Sequence, residues 1–331
     1  MRKKLIIGTG SITLVLVLVL VLVVGAGVQA NSPEIDPIVS TDWLEGNLDD
    51  VVILDVRNPD EYAAGHIPGA INSPEWMWYV GWPFVDPPPW MELPAVEDIF
   101  ANIEAAGIDG DSLVVIVSRT VDAGPIAPAV YALAGATRVA VTLIYAGIEN
   151  VAILDGGHDK WAAEEKATTL EVPEITPSTY EGAVNEAMFV SKDYVEDVVG
   201  RPWWWRILRR CVIVDGRDVD VYFGVTQEPW TLAAGHIPSA TSLPIPWHWT
   251  FTDGIGTYKD AAVLGDMASG VVGNYFAPRE IIAYCGVGGY ASTLYFVLSE
   301  VLGYENVKIY DGSAQEWTLD PEAPVVIYEW E

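Results

Sequence analysis

Short apolar runs recur along the chain where a strand with one wet face would alternate apolar and polar residues. Examples are Ile53-Leu54-Asp55-Val56, Leu113-Val114-Val115-Ile116-Val117, Cys211-Val212-Ile213-Val214 and Ile281-Ile282-Ala283-Tyr284. Helical stretches such as Ala291 to Leu302 lie between them. Fully apolar strands alternating with helices predict an α/β fold, a parallel sheet with helices on both faces.

The pattern runs through the chain twice. One copy reads Asp55-Val56-Arg57, Tyr62 and Gly65-His66-Ile67-Pro68; the other reads Asp215-Gly216-Arg217, Tyr222 and Gly235-His236-Ile237-Pro238. The Asp-x-Arg pairs stand 160 residues apart and the Gly-His-Ile-Pro pairs 170, so the second copy carries a ten-residue insertion between them. Leu113–Ser118 matches the strand ending at Cys285, and Asp155-Gly156-Gly157 with Trp161 matches Asp311-Gly312-Ser313 with Trp317. Internal repetition on this scale predicts two domains of one architecture, at 33–170 and 180–331. The linker falls in Thr168–Ser191, where Pro173, Pro177 and scattered acids break the periodicity.

Residues 1–30 are read apart from the fold. Arg2, Lys3 and Lys4 precede an apolar stretch from Leu5 to Val24, and Val28-Gln29-Ala30 offers a peptidase small residues. The stretch also suits an uncleaved span, so a signal peptide and an N-terminal anchor both fit. Either places the body outside the cytoplasm, with membrane contact only through residues 5–28. The remainder is acidic: the chain has 46 Asp and Glu against 17 Lys and Arg, a formal charge of −29. That field disfavours nucleic acid as a partner.

Cys211 and Cys285 are the two cysteines. An exported chain could join them in a disulfide. However, Cys211 opens its strand and Cys285 closes another, so parallel neighbours would hold the sulfurs a strand length apart. Cys285 also begins Cys285-Gly286-Val287-Gly288-Gly289-Tyr290-Ala291-Ser292, a strand end, a glycine-rich turn and a helix start. Backbone N–H groups gathered around a thiol favour the thiolate, the nucleophilic form. A buried cysteine before a tight turn is the plainer alternative.

With those residues in place, the chain resembles the tandem-domain rhodanese family of thiosulfate and 3-mercaptopyruvate sulfurtransferases. The likeness covers nearly everything after the targeting segment. It implies two rhodanese-like domains, the second catalytic, with Cys285 carrying sulfur as a persulfide. Ser118 stands at the matching place in the first domain, which fits a non-catalytic half. The resemblance implies a ping-pong exchange between a small sulfur donor and a thiophilic acceptor, with no cofactor and no metal. The loop Gly286, Val287, Gly288, Gly289 and Tyr290 would bind substrate, with Ser292 nearby, and Arg217 is the candidate cation for the donor. Because Arg57 repeats it in the other half, a structural Asp-x-Arg pair is the alternative. A carrier that docks a partner and turns over slowly alone is the rival to an enzyme.

Departures from the family pattern weaken both named donors. Val221 stands where mercaptopyruvate enzymes place a second basic residue, the loop 286–290 lacks basic side chains, and Pro74–Pro94 holds no relay histidine. A Cys-x5-Arg phosphatase loop is excluded because position 291 is Ala. His66 and His236, present in both copies, read as turn residues, and His158 and His248 form no metal-ligand pattern. The aromatic stretch around Trp76-Met77-Trp78-Tyr79, Trp82 and Trp90 reads first as interdomain packing. So does the basic–aromatic island at 201–210, for which a protein or membrane-interface partner is the alternative.

Overall fold

The computed structural model describes residues 34–81, 90–124, 127–205, 211–273 and 280–330. The leader 1–30, Trp82 and Arg206, Arg209 and Arg210 of the basic island lie outside the described residues. Two five-stranded parallel sheets form. The first joins β1 (Ile38–Val39), β2 (Val52–Asp55), β3 (Ile71–Asn72), β4 (Val114–Val117) and β5 (Val151–Leu154) in the order β1-β5-β4-β2-β3. The second joins β6 (Phe189–Val190), β7 (Cys211–Asp215), β8 (Ala240–Ser242), β11 (Glu280–Tyr284) and β12 (Val307–Tyr310) in the equivalent order β6-β12-β11-β7-β8. A two-stranded antiparallel ribbon, β9 (Trp249–Thr252) and β10 (Ile255–Tyr258), leaves the second sheet.

The apolar runs become strands because both faces are covered. Leu54, Ile116 and Ile153 point into one core, Ile53, Val115 and Ala152 into the other. In the second sheet, Val214, Ile281 and Ile309 face the first of these cores, while Ile213, Ile282 and Tyr310 face a third. One core is therefore shared between the domains. The helix Ala129–Ala146 and the helix Gly289–Tyr295 with its π-helical continuation Phe296–Val301 contribute to it. Ala129–Ala146 is apolar and long enough to cross a membrane, but it is mostly buried in this core. Local capping repeats with the fold: Ser40 accepts the N–H of Trp43 at 3.1 Å, and Ser191 that of Tyr194 at 3.3 Å.

The domains cap each other. Past β3, the segment with the bridge between Val80 and Glu92 carries Met91 and Leu93 to the second domain, where Leu93 N–H donates to Asp311 Oδ2 at 2.8 Å. Past β8, β10 returns the contact: Gly256 N–H donates to Thr120 O at 3.0 Å and Tyr258 N–H to Asp155 Oδ1 at 2.8 Å. Each arm lands at the C-terminal strand ends of the other sheet, where open α/β sheets place their sites.

Candidate active site

Cys285 follows β11, and the chain turns into the helix Gly289–Tyr295 within four residues. The loop folds back on the sulfur, so that Gly288 N–H donates to Cys285 Sγ at 3.1 Å. Gly288 has φ +91°, and a β-carbon there would stand 2.7 Å from Asp311 Oδ1. Glycine is thus required twice over, by conformation and by space. Cys285 N–H donates to Ser313 Oγ at 3.1 Å, and that hydroxyl donates to Tyr310 O at 2.9 Å with Sγ 3.9 Å away. Ser313 holds φ +53° to reach this position, an uncommon conformation for a residue with a side chain.

The rest of the loop is packed from both domains. Val287 is buried, and Tyr290 meets Tyr131 of the first domain with ring centroids 6.1 Å apart. Ser292 donates to Gly288 O at 3.1 Å and accepts from Arg138 at 3.3 Å. Arg138, fully buried, also grips Asp311 through two bonds of 2.6 and 2.9 Å. Thr137 and Thr293 share a hydrogen bond of 2.7 Å across the same seam. A β-carbon on Gly289 would stand 3.3 Å from Met91 Cε, so the first domain's arm lies on the loop.

The thiol itself departs from expectation. Cys285 is 2% exposed, and burial pushes its thiol above the ordinary value. The N–H groups of Ala291, Val287 and Gly288 pull the other way, but the carboxylate of Glu228 adds to the push. In this closed arrangement the resting form is the thiol.

Arg217 presents no bare cation. Its guanidinium, 2% exposed, donates to both oxygens of Asp215 at 2.6 to 3.1 Å and to Gly235 O at 2.8 Å. Arg57 repeats every one of these bonds, with Asp55 and Gly65 O, in the half without the cysteine. Arg217 adds two contacts: Nη1 lies 3.5 Å from Glu228 Oε2, and the guanidinium lies 5.7 Å from the Tyr284 ring centroid.

Glu228 and Trp230 belong to the ten-residue insertion. A β-carbon on Gly286 would stand 2.6 Å from Trp230 Nε1 and 2.7 and 2.8 Å from the two oxygens of Glu228. The insertion therefore lies flat on the residue after the cysteine. The histidines divide as the repeat implies: His66 and His236 stack on Tyr62 and Tyr222 and bond the carbonyls of those same tyrosines. His248 is buried, holds Ile245 O at 3.1 Å and has its pKa lowered by burial to about 4. Cys211 is buried and not joined to Cys285 by a disulfide; it pairs in register with Glu280, at the far end of β11 from Cys285.

A family model described as the rhodanese-like domain matches residues 40–164 and again 202–320. The chain belongs to the rhodanese family. It is a tandem rhodanese, with sulfurtransferases and sulfur carriers among its relatives. The sulfur carrier protein TtuD of Thermus thermophilus is 31% identical over 86% of this chain and 94% of its own length. A Haloferax volcanii protein named "Putative thiosulfate sulfurtransferase" is 31% identical over 88% of this chain and 96% of its own. Among solved structures, the anaerobic ergothioneine biosynthesis enzyme of Chlorobium limicola superposes with a TM-score of 0.72 at 23% identity, over 88% of this chain and 70% of that one. At that identity the likeness speaks for the fold alone.

Proposed function

We propose that this tandem rhodanese moves sulfane sulfur from a donor to a nucleophilic acceptor through a persulfide on Cys285. The observation that carries the reading is the loop closed on Sγ, with the Gly288 N–H at 3.1 Å and the cysteine at the C-terminal end of a central strand. The N–H groups of residues 286–290 would stabilise negative charge on the carrier sulfur as bonds exchange. Incubation with a panel of sulfane-sulfur donors, followed by mass measurement of the peptide bearing Cys285, tests it. One added sulfur atom is expected, removed by cyanide; a donor panel that leaves Cys285 unmodified overturns it.

The electrostatics favour a donor of low charge. The loop 286–290 brings no cation, Val221 is apolar and buried, and Arg217 and Arg138 are each held by an aspartate. A small uncharged sulfane donor or a partner protein's persulfide suits such a site better than the thiosulfate dianion. Thiosulfate would then bind weakly, and better at moderate salt, which screens the acidic surface.

The carrier reading gains from the burial of Cys285, since the cover must move before any acceptor reaches it. Fast cyanide turnover marks an enzyme; loading without turnover marks a carrier. Trp203, 68% exposed, and Trp204 beside it offer an apolar surface that suits a docking partner at the described part of 201–210. We also propose an extracytoplasmic location, on the strength of residues 1–30; the mature N-terminus, Asn31 if cleaved and Met1 if anchored, tests it.

A further inference from the structure

The insertion that distinguishes the second half from the first supplies a carboxyl group against Gly286, the residue after Cys285, and the first copy carries no such insertion. Glu228 lies over Gly286, the residue that follows Cys285, and is held there by Arg217 Nη1 and by the Trp230 indole. Its side chain is 16% exposed. Its charge acts on Cys285, Tyr290 and Tyr131, so it faces the space between the cysteine loop and the first domain. The histidine expected of a proton relay is missing from Pro74–Pro94, yet the resting thiol must lose a proton before it can attack.

We propose that Glu228 is the acid–base catalytic residue of the sulfur exchange. The proposal rests on Cys285 being the sulfur carrier. The Glu228 carboxylate takes the proton from the Cys285 thiol. The thiolate attacks the outer sulfur of a hydropersulfide donor, R–S–S–H, forming the Cys285 S–S bond as the donor S–S bond breaks. The electron pair leaves on R–S, which recovers the proton from the Glu228 carboxylic acid. The products are R–SH and the Cys285 hydropersulfide, with no net redox change and Glu228 again ionised. Discharge to an acceptor thiol runs the same steps with the roles exchanged.

The surroundings suit such a group. Burial raises the Glu228 carboxyl to about 7, against the pull of Arg217 and with the help of Asp215. Both protonation states are then accessible near neutral pH, where a proton shuttle works best. Of its other neighbours, Tyr131 and Tyr290 have raised pKa values and stay neutral in that range, and Asp218 contributes to both.

Single-turnover loading of the full chain with glutathione hydropersulfide, followed from pH 5 to 9, tests the proposal. Glu228→Gln is expected to slow loading by roughly 100-fold or more, the scale of a lost acid–base group, and to remove the limb of the pH profile near 7. Glu228→Asp should recover part of the rate. Alkylation of Cys285 by iodoacetamide needs no proton on its leaving group, and it should become faster in Glu228→Gln because a repelling charge has gone. Opposite changes in the two rates identify the shuttle. If loading and alkylation accelerate together, Glu228 only repels the thiolate; if both slow together with a lower melting temperature, it is structural. Either result overturns the proposal. Absence of loading in the wild type would instead remove the carrier role of Cys285, and this proposal with it.

Discussion

The ends of β4 and β11 occupy the same place in two copies of one fold, and only one of them bears a cysteine. After Cys285 the helix begins at Gly289; after Ser118 the next helix begins at Ala129. Among the described residues, Ser118 Oγ is buried without a hydrogen-bond partner, where Cys285 Sγ receives the Gly288 N–H. Facing Cys285 is Ser313 at φ +53°, and facing Ser118 is Gly157 at φ +54°. A β-carbon on Gly157 would collide with Ser118 O, so the first half has no room for the hydroxyl that steadies the second. What both halves keep is scaffold: the Asp-x-Arg pair, the stacked Tyr and His, and the buried Trp161 and Trp317. The proposed chemistry draws on what one half has alone, namely Cys285, the glycine loop, Ser313 and the Glu228 insertion.

The comparison predicts its own largest effect. Cys285→Ser should abolish sulfur transfer with an unchanged melting temperature, because oxygen cannot form the persulfide and the buried volume barely changes. Ser118→Cys should gain no sulfur loading, since among the described residues no N–H reaches that side chain. A persulfide at position 118 of that variant, measured by mass, would show that a strand-end cysteine suffices and that the loop does not matter.

Arg57→Ala and Arg217→Ala sharpen the distinction between scaffold and site. Each leaves a fully buried aspartate without its partner, so each should lose about 3–5 kcal/mol of stability in urea unfolding. If the pair is purely structural, the donor KM stays unchanged in both variants while they remain folded. A raised KM in Arg217→Ala alone would assign the second arginine to the donor. Ser313→Gly comes next in size: it relieves the positive φ but removes the hydroxyl that accepts the Cys285 N–H. Stability should move by no more than about 1 kcal/mol, as these terms oppose each other. Loading should slow several-fold, because Cys285 loses an anchor.

The sheets were legible because burial on both faces leaves unbroken apolar runs, and the repeat fixed their correspondence. Cys285 and its loop were legible for the same reason, as were the turn histidines. Three features were not. Counting N–H groups around the sulfur suggested a thiolate, but a sequence does not display how deeply a thiol is buried, and here burial wins. Glu228 sits in an insertion with no periodicity and no partner in the other copy; the insertion itself, confined to the half with the cysteine, was the available signal. Arg138 and Met91 come from the first domain, and only the shared core brings them to a loop so distant in sequence. A lone arginine inside the apolar stretch Ala129–Ala146 was the visible trace of Arg138.

The smallest expected effect concerns pH, and it spans both halves. Burial raises Glu75 and Glu92 of the first half and Glu228 of the second to about 7, from an ordinary 4.5. A carboxyl raised in the folded state holds its proton where the unfolded chain has lost it. Its stabilising contribution is present at low pH and is lost as pH rises from 4.5 through 7. Opposition from the histidines grows as pH falls through 6.5, where buried His248 and half-buried His158, both with lowered pKa values, favour an unfolded chain that can protonate them. Acidification from pH 8 to 6.5 should therefore add on the order of 1 kcal/mol of stability for each carboxyl at most, and raise the melting temperature accordingly. Relief of repulsion in a chain of charge −29 has the same sign, but salt screens it and leaves the buried groups nearly untouched. The rise should thus persist in high salt and shrink in Glu75→Gln. A melting temperature that is flat over this interval in high salt would mean that these carboxyls are ionised in the folded protein, and that Glu228 is too acidic to return a proton near neutral pH.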